Sequence, residues 1–181
     1  MRKFILILAV FSFLTLTTRA QKFGVGIGFS YGTQISTAGI NVGGLFAFFK
    51  EKMNLELNLS TFSKLNQDFV AYSKTTSLWD VNFNLRYIFK WDIIGIYPIA
   101  GLNIANTKID TAFKYSSPLT GNPKENNSTK KAIYGANAGV GFQLNLESIL
   151  PFIELKHVFG DYNQSIFTLG LRFKIGKSKE Q

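Results

Sequence analysis

The residues able to do chemistry sit on one side of a two-residue period. Glu56, Asp80, Asn82, Asn84, Arg86, Asn137, Gln143, Glu154, Lys156 and Arg172 each alternate with aliphatic or aromatic neighbours. In an extended chain they therefore share a face from which the apolar side chains are excluded. Both charge signs occur among them in similar number, so the expected chemistry is mutual pairing in an enclosed polar space, with a path for ions or small solutes as the second use. A base-activated nucleophile has less to work with. His157 is the only histidine, Phe159 follows it, and the nearest serine, Ser165, belongs to the next extended run. A lone imidazole without an acid or a serine close in sequence is more often an interfacial side chain than a base. There is no cysteine and no clustered His/Asp/Glu spacing, so no catalytic residue, no metal and no cofactor is expected.

The elements that position this set are strands. Leu78 to Lys90 is the clearest: Trp79, Val81, Phe83, Leu85, Tyr87 and Phe89 face one way, and Asp80, Asn82, Asn84 and Arg86 the other. At roughly 3.3 Å per residue such a run is long enough to cross a bilayer with a tilt. The same alternation predicts eight strands, at about 22–31, 38–49, 53–63, 77–90, 94–107, 132–146, 151–159 and 164–176. The glycines of the first strand repeat at every second position with no helix start after them, which excludes a nucleotide-binding loop. Lys108 to Lys131 contains Pro118, Gly121 and Pro123 in a polar, lysine-rich context and reads as the longest loop.

Two features decide which face points inward. In a barrel of eight strands the interior barely holds side chains, and here the glycines share a face with Asn, Glu and Arg while the aromatics share the other. A soluble, lipocalin-like barrel would carry the apolar face inside, so the expectation is a membrane barrel turned towards lipid. Trp79, Tyr31, Phe62 and Tyr134 are expected at one rim, and Tyr87, Phe89, Trp91 and Tyr97 at the other, as interfacial girdles. Short and long connections alternate along the chain, as in bacterial barrels with tight periplasmic turns, longer extracellular loops and both termini in the periplasm.

The first twenty residues carry Arg2 and Lys3, an apolar run to about Leu16 and Thr18-Arg19-Ala20, the pattern of a secretory signal peptide over 1–20. The rest, 21–181, is one domain by length. Of the formal charge of +9, removal of Arg2, Lys3 and Arg19 leaves about +6. An exported basic chain points to anionic surfaces and away from nucleic acid. Lys108, Lys114, Lys124, Lys130 and Lys131 outnumber Asp110 and Glu125 in the long loop. At an extracellular rim they would meet lipopolysaccharide phosphates.

On the last strand Thr168-x-Gly170-x-x-Phe173-x-Ile175 resembles the C-terminal insertion signal of outer-membrane proteins. The strand-and-turn pattern from Phe23 to Ile175, with Trp79-Asp80-Val81-Asn82 followed by Tyr97-Pro98-Ile99-Ala100-Gly101-Leu102, resembles the small outer-membrane β-barrel family that includes OmpX and the membrane domain of OmpA. The polar tail after Ile175 departs from relatives that end on the aromatic. The resemblance implies an all-β, eight-stranded, antiparallel, up-and-down transmembrane barrel in the outer membrane, inserted by the barrel-assembly machinery and surrounded by outer-membrane lipid and lipopolysaccharide. Eight-stranded lipid A deacylases and palmitoyltransferases need a histidine beside a serine, which the spacing here does not provide. The expected role is non-enzymatic, in envelope structure or surface interaction, with a narrow porin-like channel as the alternative; oligomeric state is not legible.

Overall fold

The computed structural model describes residues 22–49, 51–114, 126–161 and 163–175. The first twenty residues, expected as a signal peptide, Lys124 and the tail after Ile175 lie outside the described residues. Ten extended segments occur: β1 (Lys22–Gly32), β2 (Thr37–Phe48), β3 (Met53–Phe62), β4 (Leu65–Asp68), β5 (Tyr72–Tyr87), β6 (Phe89–Trp91), β7 (Ile94–Phe113), β8 (Asn126–Leu144), β9 (Ile149–Gly160) and β10 (Gln164–Ile175). They make eight barrel-crossing strands. The short β6 continues the register of β5 against β7, with Arg86 opposite Ile99 and Phe89 opposite Ile96. The short β4 continues β3 along β5 after a one-residue register slip at Ser63-Lys64, a bulge that bends the strand where it leaves the barrel.

All pairings are antiparallel, and β1 closes the ring by pairing with both β2 and β10. The strands are strongly inclined. Register partners followed around the ring from Phe23 run through Phe46, Leu55, Leu85, Ala100, Ala138, His157 and Ser165. They return to β1 beside Thr33, at its far end. A full-turn offset of that size is the stagger a closed barrel of tilted strands requires.

Side-chain alternation fixes the two surfaces. Phe29, Leu57, Leu59, Phe83, Leu102, Tyr134, Val140 and Leu169 stand on the outer wall, with Phe29 at 71 % and Leu102 at 63 % exposure. An apolar wall of this extent, closed all round, is unstable in water and stable in lipid. Trp79, Tyr31 and Tyr134 lie outward near the loop end and Tyr87, Phe89 and Trp91 near the turn end, where girdles are expected. Phe62 and Tyr97 do not join them. Each is in phase with the polar face of its own strand, Phe62 with Asn58 and Ser60, Tyr97 with Gly101 and Asn103, and both are buried inside the barrel. Parity along the strand outweighs the aromatic preference for the interface.

The lumen is layered rather than uniformly polar. From the loop end down β5, the inward positions read Leu78, Asp80, Asn82, Asn84, Arg86 and then, just past the strand, Ile88. Leu78 belongs to an apolar cluster with Ile35, Phe62, Ala105, Ile133, Val158 and Ile166 that closes the loop end. Ile88, Tyr97 and Ile99 form a second cluster at the turn end.

In the stretch expected as one long loop, the described residues are strand at both ends. β7 runs on to Phe113 and β8 starts at Asn126, with pairs from Asn106–Ala132 out to Ala112–Asn126. Likewise β5 starts at Tyr72, ahead of the expected 77, and pairs with β7 from Tyr72–Phe113 onward. Together with β4 these segments raise a four-stranded sheet above the rim. Its residues are polar and rich in Thr, Lys and Asn with no steady apolar side, so periodicity alone reads as loop, whereas ladder hydrogen bonds to the neighbouring strands keep it extended.

Candidate functional site

The inward set meets in the lower lumen. Arg86 on β5 and Arg172 on β10 are each 1 % exposed, and Tyr97 on β7 is fully buried. Arg86 Nη1 donates to Glu154 Oε1 at 3.1 Å, and Arg172 Nε donates to Glu56 Oε1 at 3.2 Å. Arg172 Nη2 also contacts Glu154. Arg86 Nη2 lies 3.0 Å from Glu56 Oε1 without the alignment of a hydrogen bond, so this contact is an ion pair only. Tyr97 donates its hydroxyl to Glu154 Oε1 at 2.8 Å and accepts from Arg172 Nη1 at 2.9 Å. The Arg172 guanidinium lies 3.5 Å over the Phe152 ring. Two cations and two anions thus neutralise one another, and the cluster joins β3, β5, β7, β9 and β10 across the interior.

Two glycines make the space. A Cβ on Gly141 would collide with the Tyr97 ring, so the phenol occupies the room that the glycine of β8 leaves. A Cβ on Gly170 would collide with the Ile27 carbonyl oxygen and lie 2.7 Å from Phe152 Cζ, so close approach of β10 to β1 and of Phe152 to β10 both need its absence.

Above the charges is an amide layer. Asn137 Nδ2 donates to Asn84 Oδ1 at 2.8 Å and to Asn82 Oδ1 at 2.9 Å, Asn103 donates to Asn82 at 2.9 Å, and Asn82 Nδ2 donates to Asp80 Oδ1 at 2.6 Å. Lys156 is buried on β9 near this level but makes no ion pair among the described residues. Gln143 is lower, donating to Asn145 Oδ1 at 2.6 Å. All ten residues expected on the polar face are inside, yet only Arg86, Arg172, Glu56 and Glu154 form the ion-pair cluster. Tyr97 and Phe152 complete it. Strand parity points both inward, but nothing in the sequence says that they meet the charges.

The four residues resembling an insertion signal divide between the two walls. Thr168 is buried and hydrogen-bonded to Ser30 at 2.9 Å, Gly170 faces the lumen opposite Gly28, and Phe173 and Ile175 face outward. Of the loop lysines, Lys108 pairs with Asp110 at 2.8 Å, Lys114 with Asp68 at 3.4 Å and Lys131 with Asp161 at 3.7 Å. Lys130 stands directly opposite Lys108 on the outer side of the raised sheet.

At the turn end Glu51 draws three lysines: Lys22 at 2.5 Å, Lys90 at 3.3 Å and Lys174 at 3.9 Å. Burial by itself raises the Glu51 carboxyl, but the Lys22 hydrogen bond and the lysine charges overcome it and hold the group below its usual range.

His157 and Ser165 are closer than the sequence implies. They are cross-strand partners, and His157 Nδ1 lies 2.9 Å from Ser165 Oγ. Strand register brings them together, and register is what linear spacing cannot give. Among the described residues no carboxylate reaches the imidazole, which packs edge-on against Phe159 at 4.5 Å. A serine–histidine contact without an orienting acid is half of a hydrolytic constellation.

No family model matches the chain, and no curated protein matches it in sequence. Solved structures do match in fold. A major outer membrane protein from Thermus thermophilus superposes with a TM-score of 0.66 at 10% identity, covering 87% of this chain and 100% of that one. Neisserial surface protein A gives 0.61 at 8% identity over 86% and 97% of the two chains. Ail, the attachment invasion locus protein of Yersinia pestis, solved with the heparin analogue sucrose octasulfate, gives 0.51 at 14% identity over 86% and 97%. With its apolar outer wall, its polar and charged interior and these superpositions, the chain is by fold a small eight-stranded antiparallel β-barrel of the outer-membrane kind.

Proposed function

We propose that the chain is a non-enzymatic outer-membrane barrel whose filled interior serves stability and whose raised sheet serves contact with the cell surface. The observation that carries this reading is the layered lumen: the Arg–Glu–Tyr cluster fills the lower interior, and the apolar layer of Ile35, Phe62, Leu78, Ile133, Val158 and Ile166 lies across the loop end. An ion crossing the barrel would have to break the buried ion pairs and pass an apolar constriction, and eight strands leave little room beyond side chains. Reconstituted in planar bilayers, the protein is expected to be electrically silent. Reproducible open steps would replace this reading with the narrow channel.

Contact with lipopolysaccharide is supported by the outward pair Lys108 and Lys130, which holds two ammonium groups on the membrane-facing side of the sheet with Asp110 to offset one. Lys114 and Lys131 are each held by a carboxylate, Asp68 at 3.4 Å and Asp161 at 3.7 Å, and leave the outward charge to the first pair. Ail carries a polyanionic sugar in its solved complex, and a basic rim on the same fold suits a ligand of that charge.

Insertion through the barrel-assembly machinery is supported by Gly170, Phe173 and Ile175 on the closing strand, two of them outward and Gly170 against β1. The double change Gly170→Ala and Phe173→Ala is expected to lower the heat-modifiable folded form in outer membranes severalfold. Unchanged folded levels would remove the signal role.

A further inference from the structure

Above the apolar layer, strands β4, β5, β7 and β8, the β1–β2 turn and Asp161 after β9 border a cavity of about 410 Å³ that opens outward between the raised strands. That volume is within the range of small-molecule sites. Ile35 and Ile133 belong both to the cavity lining and to the apolar layer, so the space is a cup closed below and not the entrance to a pore.

Its walls combine three kinds of group. Thr76, Thr107 and Thr129, from three neighbouring strands, supply hydroxyls, and Thr107 Oγ1 is shielded from solvent without any hydrogen-bond partner. The Thr107 oxygen lies behind the cup wall, so the hydroxyls a ligand reaches directly are those of Thr76 and Thr129. Lys131 is offset by Asp161 at 3.7 Å, whereas Lys74 makes no ion pair among the described residues. Among the described residues, Lys74 is thus the lysine of the cup that no carboxylate pairs. The isoleucine floor offers an apolar contact to the ring carbons of a ligand.

We propose that this cup binds an acidic sugar of about monosaccharide size, with its carboxylate or phosphate on Lys74, its hydroxyls on Thr76 and Thr129 and its ring over Ile35 and Ile133. The proposal rests on the surface role argued above and names its ligand class. The source is either a glycolipid of the surrounding membrane or a glycan from outside the cell; the chemistry is common to both.

The test is calorimetric titration of the full folded barrel in detergent with glucuronate and, as the neutral control, glucose. Glucuronate is expected to bind at least tenfold more tightly than glucose, because only it satisfies Lys74. Lys74→Gln should weaken glucuronate about tenfold and leave glucose unchanged, and Ile133→Trp, which fills the cup, should remove both. Titration in nanodiscs with and without lipopolysaccharide separates the sources: competition assigns the sugar to the membrane's own glycolipid, and undiminished binding assigns it to an external glycan. The proposal is overturned if folded protein binds no glucuronate, if both sugars bind equally, or if Lys74→Gln changes nothing. The heat-modifiable band reports the barrel itself, so a folded protein that fails to bind overturns the cup and leaves the surface role standing.

Discussion

Replacing Glu154 with alanine is expected to destabilise the barrel by about 3–5 kcal/mol, the cost of leaving buried cations without their partner. Glu154 Oε1 is the acceptor for Arg86 at 3.1 Å and for the Tyr97 hydroxyl at 2.8 Å, and it also contacts Arg172. Its removal leaves two guanidinium groups sharing one carboxylate, Glu56. Those groups are held by strands from opposite parts of the ring, so they cannot move to water without opening the barrel. Urea unfolding of the reconstituted protein, followed by tryptophan fluorescence and heat modifiability, measures the loss. Lys156→Met is the internal comparison. Lys156 is equally enclosed but makes no ion pair among the described residues, and an apolar replacement of similar length should be near neutral or stabilising. If both changes cost the same, the ion-pair cluster is not what holds the interior.

Leu85→Arg is the second large effect. Leu85 faces outward at 40 % exposure, between Leu55 on β3 and Ala100 on β7, near the middle of the apolar wall. A charge there is expected to cost about 2–4 kcal/mol in a bilayer. The adjacent Asn84→Arg would be benign in a roomy lumen, but this lumen is not roomy. Asn84 Oδ1 accepts from Asn137 at 2.8 Å and lies 2.5 Å from where a Gly101 Cβ would be. An arginine side chain at this position must therefore displace the amide layer, and its cost should match or exceed that of Leu85→Arg. The same unfolding titration in lipid vesicles reads both; a lumen that accepts Asn84→Arg freely would contradict the close packing described here.

How much of this was legible beforehand depends on the residue. The face of each strand follows from a period of two, and Glu56, Asp80, Arg86, Glu154 and Arg172 needed nothing else to be placed inside. Tyr97 and Phe62 were within reach of the same rule, but a general preference of aromatics for the interface pulled them to the rims. The apolar layer was spelled out by Leu78, Ile133 and Ile166, each in phase with polar residues of its own strand, and a uniformly polar reading of that face hid it. Other features lie beyond any one-dimensional pattern. The meeting of His157 with Ser165 and of Arg172 with Glu56 depends on register and on chords across the ring. The extension of β7 and β8 depends on ladder hydrogen bonds among side chains that carry no hydrophobic period.

The inside-out arrangement on which everything else depends is tested most directly at Leu85. Introduced as the only cysteine in a chain that has none, Leu85→Cys places a thiol on the outer wall one residue from the buried Asn84. With the folded protein in lipid vesicles, the thiol should resist a water-soluble maleimide. Once labelled with a fluorophore during unfolding and refolded, it should be quenched by spin labels on the acyl chains and not by iodide. Quenching from the aqueous phase alone, or from neither phase, would contradict an outer wall in contact with lipid and with it the membrane barrel.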